Sequence, residues 1–133
     1  MKLLVAAFLA AHALIHASYL TPAPPRTADG PEWPFEMSRS WLVTALGLEP
    51  AMVRSLGTVL IIATIALFVA AALATLGWVV PVSWWQGLIV GGAATSIATL
   101  ALFFHPWLVI GLVIDAALLW AIVVAGWVPE LAT

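Results

Sequence analysis

The sequence predicts an all-α fold, a polytopic transmembrane four-helix bundle with one long loop between its first two helices. Three observations lead there. Of the 133 residues, 65% are hydrophobic and only 8% charged, against roughly a quarter charged in an average soluble domain. The apolar residues gather into four runs of about the length that crosses a bilayer, for which ~20 residues suffice. Prolines, glycines and tryptophans punctuate the gaps, where helix ends and lipid headgroups are expected. Four spans and one loop account for residues 1–133 as a single membrane domain whose first partner is the lipid bilayer.

The first helix is expected over about residues 3–20. Lys2 followed by an apolar stretch resembles a signal peptide in form, but two histidines inside that stretch argue for a retained helix. Thr21-Pro22 ends it, because the residue before proline is pushed out of helical geometry. The second helix, about 51–76, starts behind Glu49-Pro50, and Gly77 supplies a left-handed stop. The third, about 84–104, is expected to begin at a capping box in which Ser83 caps and Gln86 reaches back. His105-Pro106 breaks it and opens the fourth, about 107–126. Trp78, Trp84, Trp85, Trp107 and Trp127 fall at the ends of these runs as aromatic belts.

The loop, residues 21–50, carries most of the charged residues. Its front half, Pro22 to Pro34, should be irregular and extended. Its back half, entered at Ser38-Arg39, reads as a short capped interfacial helix over about 40–48, lying on the membrane or over the bundle mouth, where Arg39 would cover the opening, or else serving as a solvated connector. Along the third helix Gly87, Gly91, Thr95 and Thr99 recur every four residues and form a small-residue groove for helix packing, within one chain or between chains; Ala66, Ala70 and Ala74 do the same on the second. Gly91→Leu should therefore disrupt packing.

The charge balance, −2 with no basic cluster, offers nothing to nucleic acid or to anionic lipid. Absence of cysteine excludes disulfides, thiolate metal sites and dithiol chemistry. The serines sit in no nucleophile elbow, a single carboxylate inside the spans is too few for a paired-carboxylate mechanism, and no glycine-rich phosphate loop is present. Any enzymatic reading depends on metal or redox chemistry at histidine.

The polar residues inside the spans carry the functional signal, because an ionisable group at bilayer depth costs at least a few kcal/mol and needs a partner. His12, His16 and Tyr19 lie on one face of the first helix, and Asp115 is the one charge inside the last. Counted from the side that carries the loop, His12 and Asp115 are each about eight residues, or ~12 Å, deep. Thr58, Thr64, Thr95, Ser96 and Thr99 fall in the same half of the bilayer, and His105 stands at its mouth. The expectation is a pocket of His12, His16, Tyr19, Thr95, Thr99, His105 and Asp115, open toward the loop side above an apolar plug. Asp115→Ala should be far more harmful than Glu130→Ala.

Several uses of that pocket are open. His-x-x-x-His presents two imidazoles one turn apart, and with Asp115 or His105 would make an open three-ligand site for a divalent metal. Bis-histidine haem fits poorly, because two ligands on one helix cannot be opposite axial ligands of one iron. A His12–Asp115 pair can handle a proton, a quinone carbonyl can accept from a histidine or hydroxyl, and the same pair can simply fix the first helix against the fourth.

In the stretch His12-Ala13-Leu14-Ile15-His16-Ala17-Ser18-Tyr19, with Ser38-Arg39 in the loop and Asp115 in the last helix, the chain resembles small four-helix bacterial membrane proteins with an N-terminal His-x-x-x-His, similar in layout to DoxX-like proteins. The resemblance implies a four-helix bundle and a membrane location and carries over no catalytic residue; the expected membrane is the bacterial cytoplasmic one. His105-Pro106-Trp107 with Asp115 is faintly similar to quinone-reductase membrane anchors, but Ala116 stands where those have a tyrosine, and four spans replace their three.

The functional expectation is binding or conduction of a small ligand, ion or proton, as an oligomer or with other membrane subunits. The alternatives are a metal- or quinone-dependent membrane oxidoreductase and a structural subunit of a membrane complex. Orientation is undecided: Arg26, Arg39 and Arg54 against Lys2 put the loop in the cytoplasm, and a signal-anchor reading of Lys2 puts it outside.

Overall fold

The computed structural model describes residues 1–23 and 33–128, without the side chain of Arg39. Arg26, Glu130, most of the front half of the loop and the expected role of Arg39 therefore lie outside the described residues. Among the described residues the chain is helical, with no strand. Helix α1 spans Lys2–Ser18, α2 Trp41–Thr44, α3 Pro50–Leu76, α4 Trp85–Leu102 and α5 Val109–Leu119. Three segments are long and apolar enough to cross a membrane: Pro50–Leu76, Val82–Leu102 and Pro106–Val124. The first helix is also apolar but has 17 residues.

Local chemistry explains most helix ends. Pro50 occupies the first turn of α3, where its missing N–H costs nothing, and Gly77 at φ +72 supplies the left-handed residue that closes the helix. Before α4 the outcome differs from the expected capping box. Pro81 starts a 3₁₀ turn, Val82–Trp84, which places Ser83 inside the turn, and α4 begins at Trp85 with no side-chain cap. Trp85 is correspondingly buried, edge-on to Trp127, so it belongs to the core and not to a headgroup belt. At the other end of the pair, His105 Nδ1 accepts from the Trp107 N–H and caps the 3₁₀ turn Pro106–Leu108 that leads into α5. The last helix finishes in a π-helical turn, Trp120–Val124.

The back half of the loop is a 3₁₀ turn, Met37–Arg39, followed by α2, shorter than the expected 40–48 because Gly47 turns the chain at φ +66. The cap is Ser40: its hydroxyl accepts from the Leu42 N–H and donates to the Leu102 carbonyl at 2.7 Å. Trp41 Nε1–H donates to the Ala101 carbonyl at 2.9 Å. Carbonyls at a helix C-terminus have no partner within their own helix, and here the loop supplies partners to the end of α4. That attachment pins the segment to the end of α4.

Helix α3 packs along α1 on one side and α4 on the other, and α5 packs on α4. Two apolar cores result. One, on the loop side, joins Phe35, Leu42, Val53, Ile61, Leu100, Phe103 and Leu108. The other holds Leu9, Phe68, Ala71, Trp85, Ile89, Ala93 and Ile122. Each long helix passes from one core to the other at a buried polar residue: His16 on α1, Thr64 on α3, Ser96 on α4 and Asp115 on α5.

The closest helix contacts fall on glycines other than those of the expected groove. A methyl group built at Gly57 would sit 2.7 Å from Phe103, at Gly111 2.8 Å from Leu100 and at Gly92 3.1 Å from Phe68. At Gly91 it would meet Leu67 at an ordinary 3.5 Å, and at Gly87 it would meet nothing. The every-fourth-residue pattern identifies one face of α4, but the face pressed on Phe68 lies one residue round the helix. On α3 likewise, Ala66 is exposed while Ala71, Ala72 and Ala74 are buried.

Candidate functional site

The polar layer contains a continuous hydrogen-bonded chain across three helices. His12 Nε2, on α1, is 3.0 Å from Asp115 Oδ1, on α5. The other carboxylate oxygen, Oδ2, accepts from the hydroxyl of Ser96, on α4. Ser96 Oγ in turn lies 2.9 Å from His16 Nε2, back on α1 one turn above His12. All four residues are sealed from solvent, with exposures of 4% for His12, 1% for His16 and 0% for Ser96 and Asp115.

With Asp115 ionised, proton counting assigns the roles. Ser96 gives its one hydroxyl proton to Asp115 and accepts from His16 Nε2–H. In that arrangement the lone pair of a neutral His16 ring is on Nδ1. That atom is buried and has no hydrogen-bond partner among the described residues. An unsatisfied buried polar atom typically costs ~1–3 kcal/mol, so this nitrogen is an incomplete member of the network.

Aromatic rings wall the cluster. Phe68 is edge-on to His12 at 4.8 Å, and the two imidazoles are edge-on to each other at 5.1 Å. Tyr19 is edge-on to His16 at 5.2 Å, and on its far side stacks against Phe35 at 4.3 Å. Phe35 leans on Phe103. The pocket expected to open toward the loop is therefore closed by this stack. A separate groove of about 490 Å³ lies outside it, lined by Tyr19, Thr21, Glu36, Met37, Arg54 and Thr58. Tyr19 thus borders both the groove and His16.

Of the remaining expected site residues, Thr95 faces α3, with Oγ1 3.0 Å from Thr64 Oγ1, and Thr99 donates to the Thr95 carbonyl of its own helix. Neither bonds to the cluster. His105, half-buried, serves the turn at the start of α5 and lies outside the His12–His16–Asp115 group. Ser96, named in the sequence only as one of several hydroxyls in this half, is the residue that links both ends. The sequence carried a signal for it: counted in from Phe104, Ser96 has the same depth of about eight residues as Asp115.

One ring nitrogen from each of His12 and His16 and one oxygen of Asp115 lie within 4.8 Å of one another. Two imidazoles and a carboxylate at that separation are a donor set for a borderline divalent metal. Comparison with known proteins adds no candidate, since no family model, curated protein or solved structure matches the chain.

Proposed function

We propose that the chain is a four-helix membrane bundle of a bacterial cytoplasmic membrane that binds a small ligand or ion at the buried His12–Asp115–Ser96–His16 cluster. Helical spans suit that membrane, where backbone polar groups must be satisfied within each segment. The observation that carries the reading is the buried, unpartnered Nδ1 of His16 beside a chain of hydrogen bonds that joins His12, Asp115, Ser96 and the other His16 nitrogen. A cluster serving only to clamp helices has no use for an unpaired ring nitrogen, and evolution of a leucine there would cost less than burying it. A bound species that offers a donor or a cation to that atom completes the site. Closure on both sides by apolar cores favours holding over continuous conduction.

Native mass spectrometry of the protein extracted from membranes tests this. The parent is expected to carry a small species beyond lipid and detergent, one per chain, which His16→Gln and Asp115→Asn lose while remaining folded. A parent chain with the same mass spectrum of adducts as both variants would overturn the reading.

A further inference from the structure

The same cluster specifies what it holds. We infer that His12, His16 and Asp115 form a site for one divalent first-row transition-metal ion of the zinc class, an inference that rests on the binding reading above. Their donor atoms already lie within 4.8 Å of one another. Bonds of about 2.0–2.1 Å in tetrahedral geometry put donors roughly 3.3 Å apart, so the widest pair must close by roughly 1.5 Å. Side-chain rotation of the two histidines, which sit one turn apart on the same helix face, supplies such a movement without shifting a helix.

Three further features fit a metal and not another ligand. First, the Nδ1 of His16 is buried without a hydrogen-bond partner, and a neutral imidazole ligates a metal through whichever ring nitrogen is unprotonated. Second, the cluster contains one carboxylate, and no Lys or Arg is buried among the described residues, so a cation offsets the cost of an ionised Asp115 in a low-dielectric layer. Third, Ser96 donates to the Asp115 oxygen that His12 does not touch, the arrangement by which an outer hydrogen bond orients a ligating carboxylate. Two nitrogens and one oxygen disfavour magnesium and calcium, which take oxygen ligands. Three protein ligands leave a fourth position, as in metal sites that bind a further small molecule. Binding displaces the proton between His12 and Asp115, so one proton or more is released as the ion enters.

The test uses the full chain in detergent, freed of metal with a chelator and titrated with Co²⁺ and then Zn²⁺. The parent is expected to take up one Co²⁺ per chain, with the visible ligand-field bands of a tetrahedral nitrogen and oxygen site, and Zn²⁺ should abolish the bands. His16→Gln and Asp115→Asn should lose them, Ser96→Ala should bind about tenfold or more weakly, and His105→Ala should bind as the parent does. Circular dichroism on each variant separates lost binding from lost fold. No Co²⁺ uptake by the folded parent, or uptake unchanged in His16→Gln and reduced in His105→Ala, overturns the inference. If the parent takes no metal yet its native mass still shows a species lost in His16→Gln, the metal assignment fails and the binding reading stands; if neither is seen, both fail.

Discussion

The 3.0 Å contact between His12 Nε2 and Asp115 Oδ1 joins two helices, α1 and α5, that are not among the closely packed pairs of this fold. Helix α1 leans on α3 and α5 leans on α4, so the polar cluster is where the two outer helices are tied together. A ligand at this point would act on the tie itself, and would couple the stability of the fold to the occupancy of the site by mass action.

Asp115→Ala is expected to destabilise the protein by about 3 kcal/mol, because it leaves the His12 ring and the Ser96 hydroxyl without their buried partner. Glu49→Ala, at an exposed position preceding α3 with no side-chain cap, should change stability by less than about 0.5 kcal/mol. Thermal or detergent-induced unfolding followed by circular dichroism measures both. Equal effects would mean that the His12–Asp115 contact contributes nothing to the fold.

The three hydroxyls of α4 should separate cleanly. Ser96→Ala breaks two buried bonds and is expected to cost about 2 kcal/mol. Thr99→Ala removes only a bond to its own helix backbone and should cost less than about 1 kcal/mol apart from its lost packing. The same unfolding assay applied to both variants checks the order, and a reversal would remove Ser96 from the network.

These hydroxyls also show what a sequence can and cannot tell. Depth along a span is fixed by counting at ~1.5 Å per residue, and counting alone brings His12 and Asp115 together. Rotation about the helix axis is not fixed that way, since neighbouring positions differ by about 100°. Ser96 and Thr95 are adjacent in the chain, yet one turns to Asp115 and the other to Thr64. The glycines fail to read for the same reason: Gly92 meets Phe68 while Gly91 beside it has room. Closure of the mouth was hidden too, because it depends on Phe35 and Trp41, loop residues that reach across to Tyr19 and to the Ala101 carbonyl.

Gly92→Ala should press on the Phe68 ring, which is itself edge-on to His12, and is expected to destabilise by about 1–3 kcal/mol. Gly87→Ala meets open space and should be neutral or stabilising by up to about 1 kcal/mol through helix propensity. Melting curves of the two variants beside the parent decide it. Similar losses at both positions would show that the groove of Gly87 and Gly91 packs against something after all.

The aromatic stack over His16 should behave as the cover of the site. Tyr19 separates His16 from the loop-side groove, and Phe35 holds Tyr19 in place by stacking at 4.3 Å while being 2% exposed itself. Phe35→Ala removes that support and opens a cavity at an expected cost of about 3–5 kcal/mol, so Phe35→Leu, which keeps most of the volume, is the necessary companion. Acylation of histidine by diethyl pyrocarbonate, mapped by peptide mass, reads the consequence. In the parent, half-buried His105 is expected to react well before His12 and His16. In Phe35→Leu, His16 should react sooner than in the parent and His12, one turn deeper, should follow it. That order arises only if access runs from the groove past Tyr19. Modification of His12 before His16 would place the opening on the bilayer side of the cluster, and unchanged protection of both in a folded Phe35→Leu protein would show that the stack does not control access.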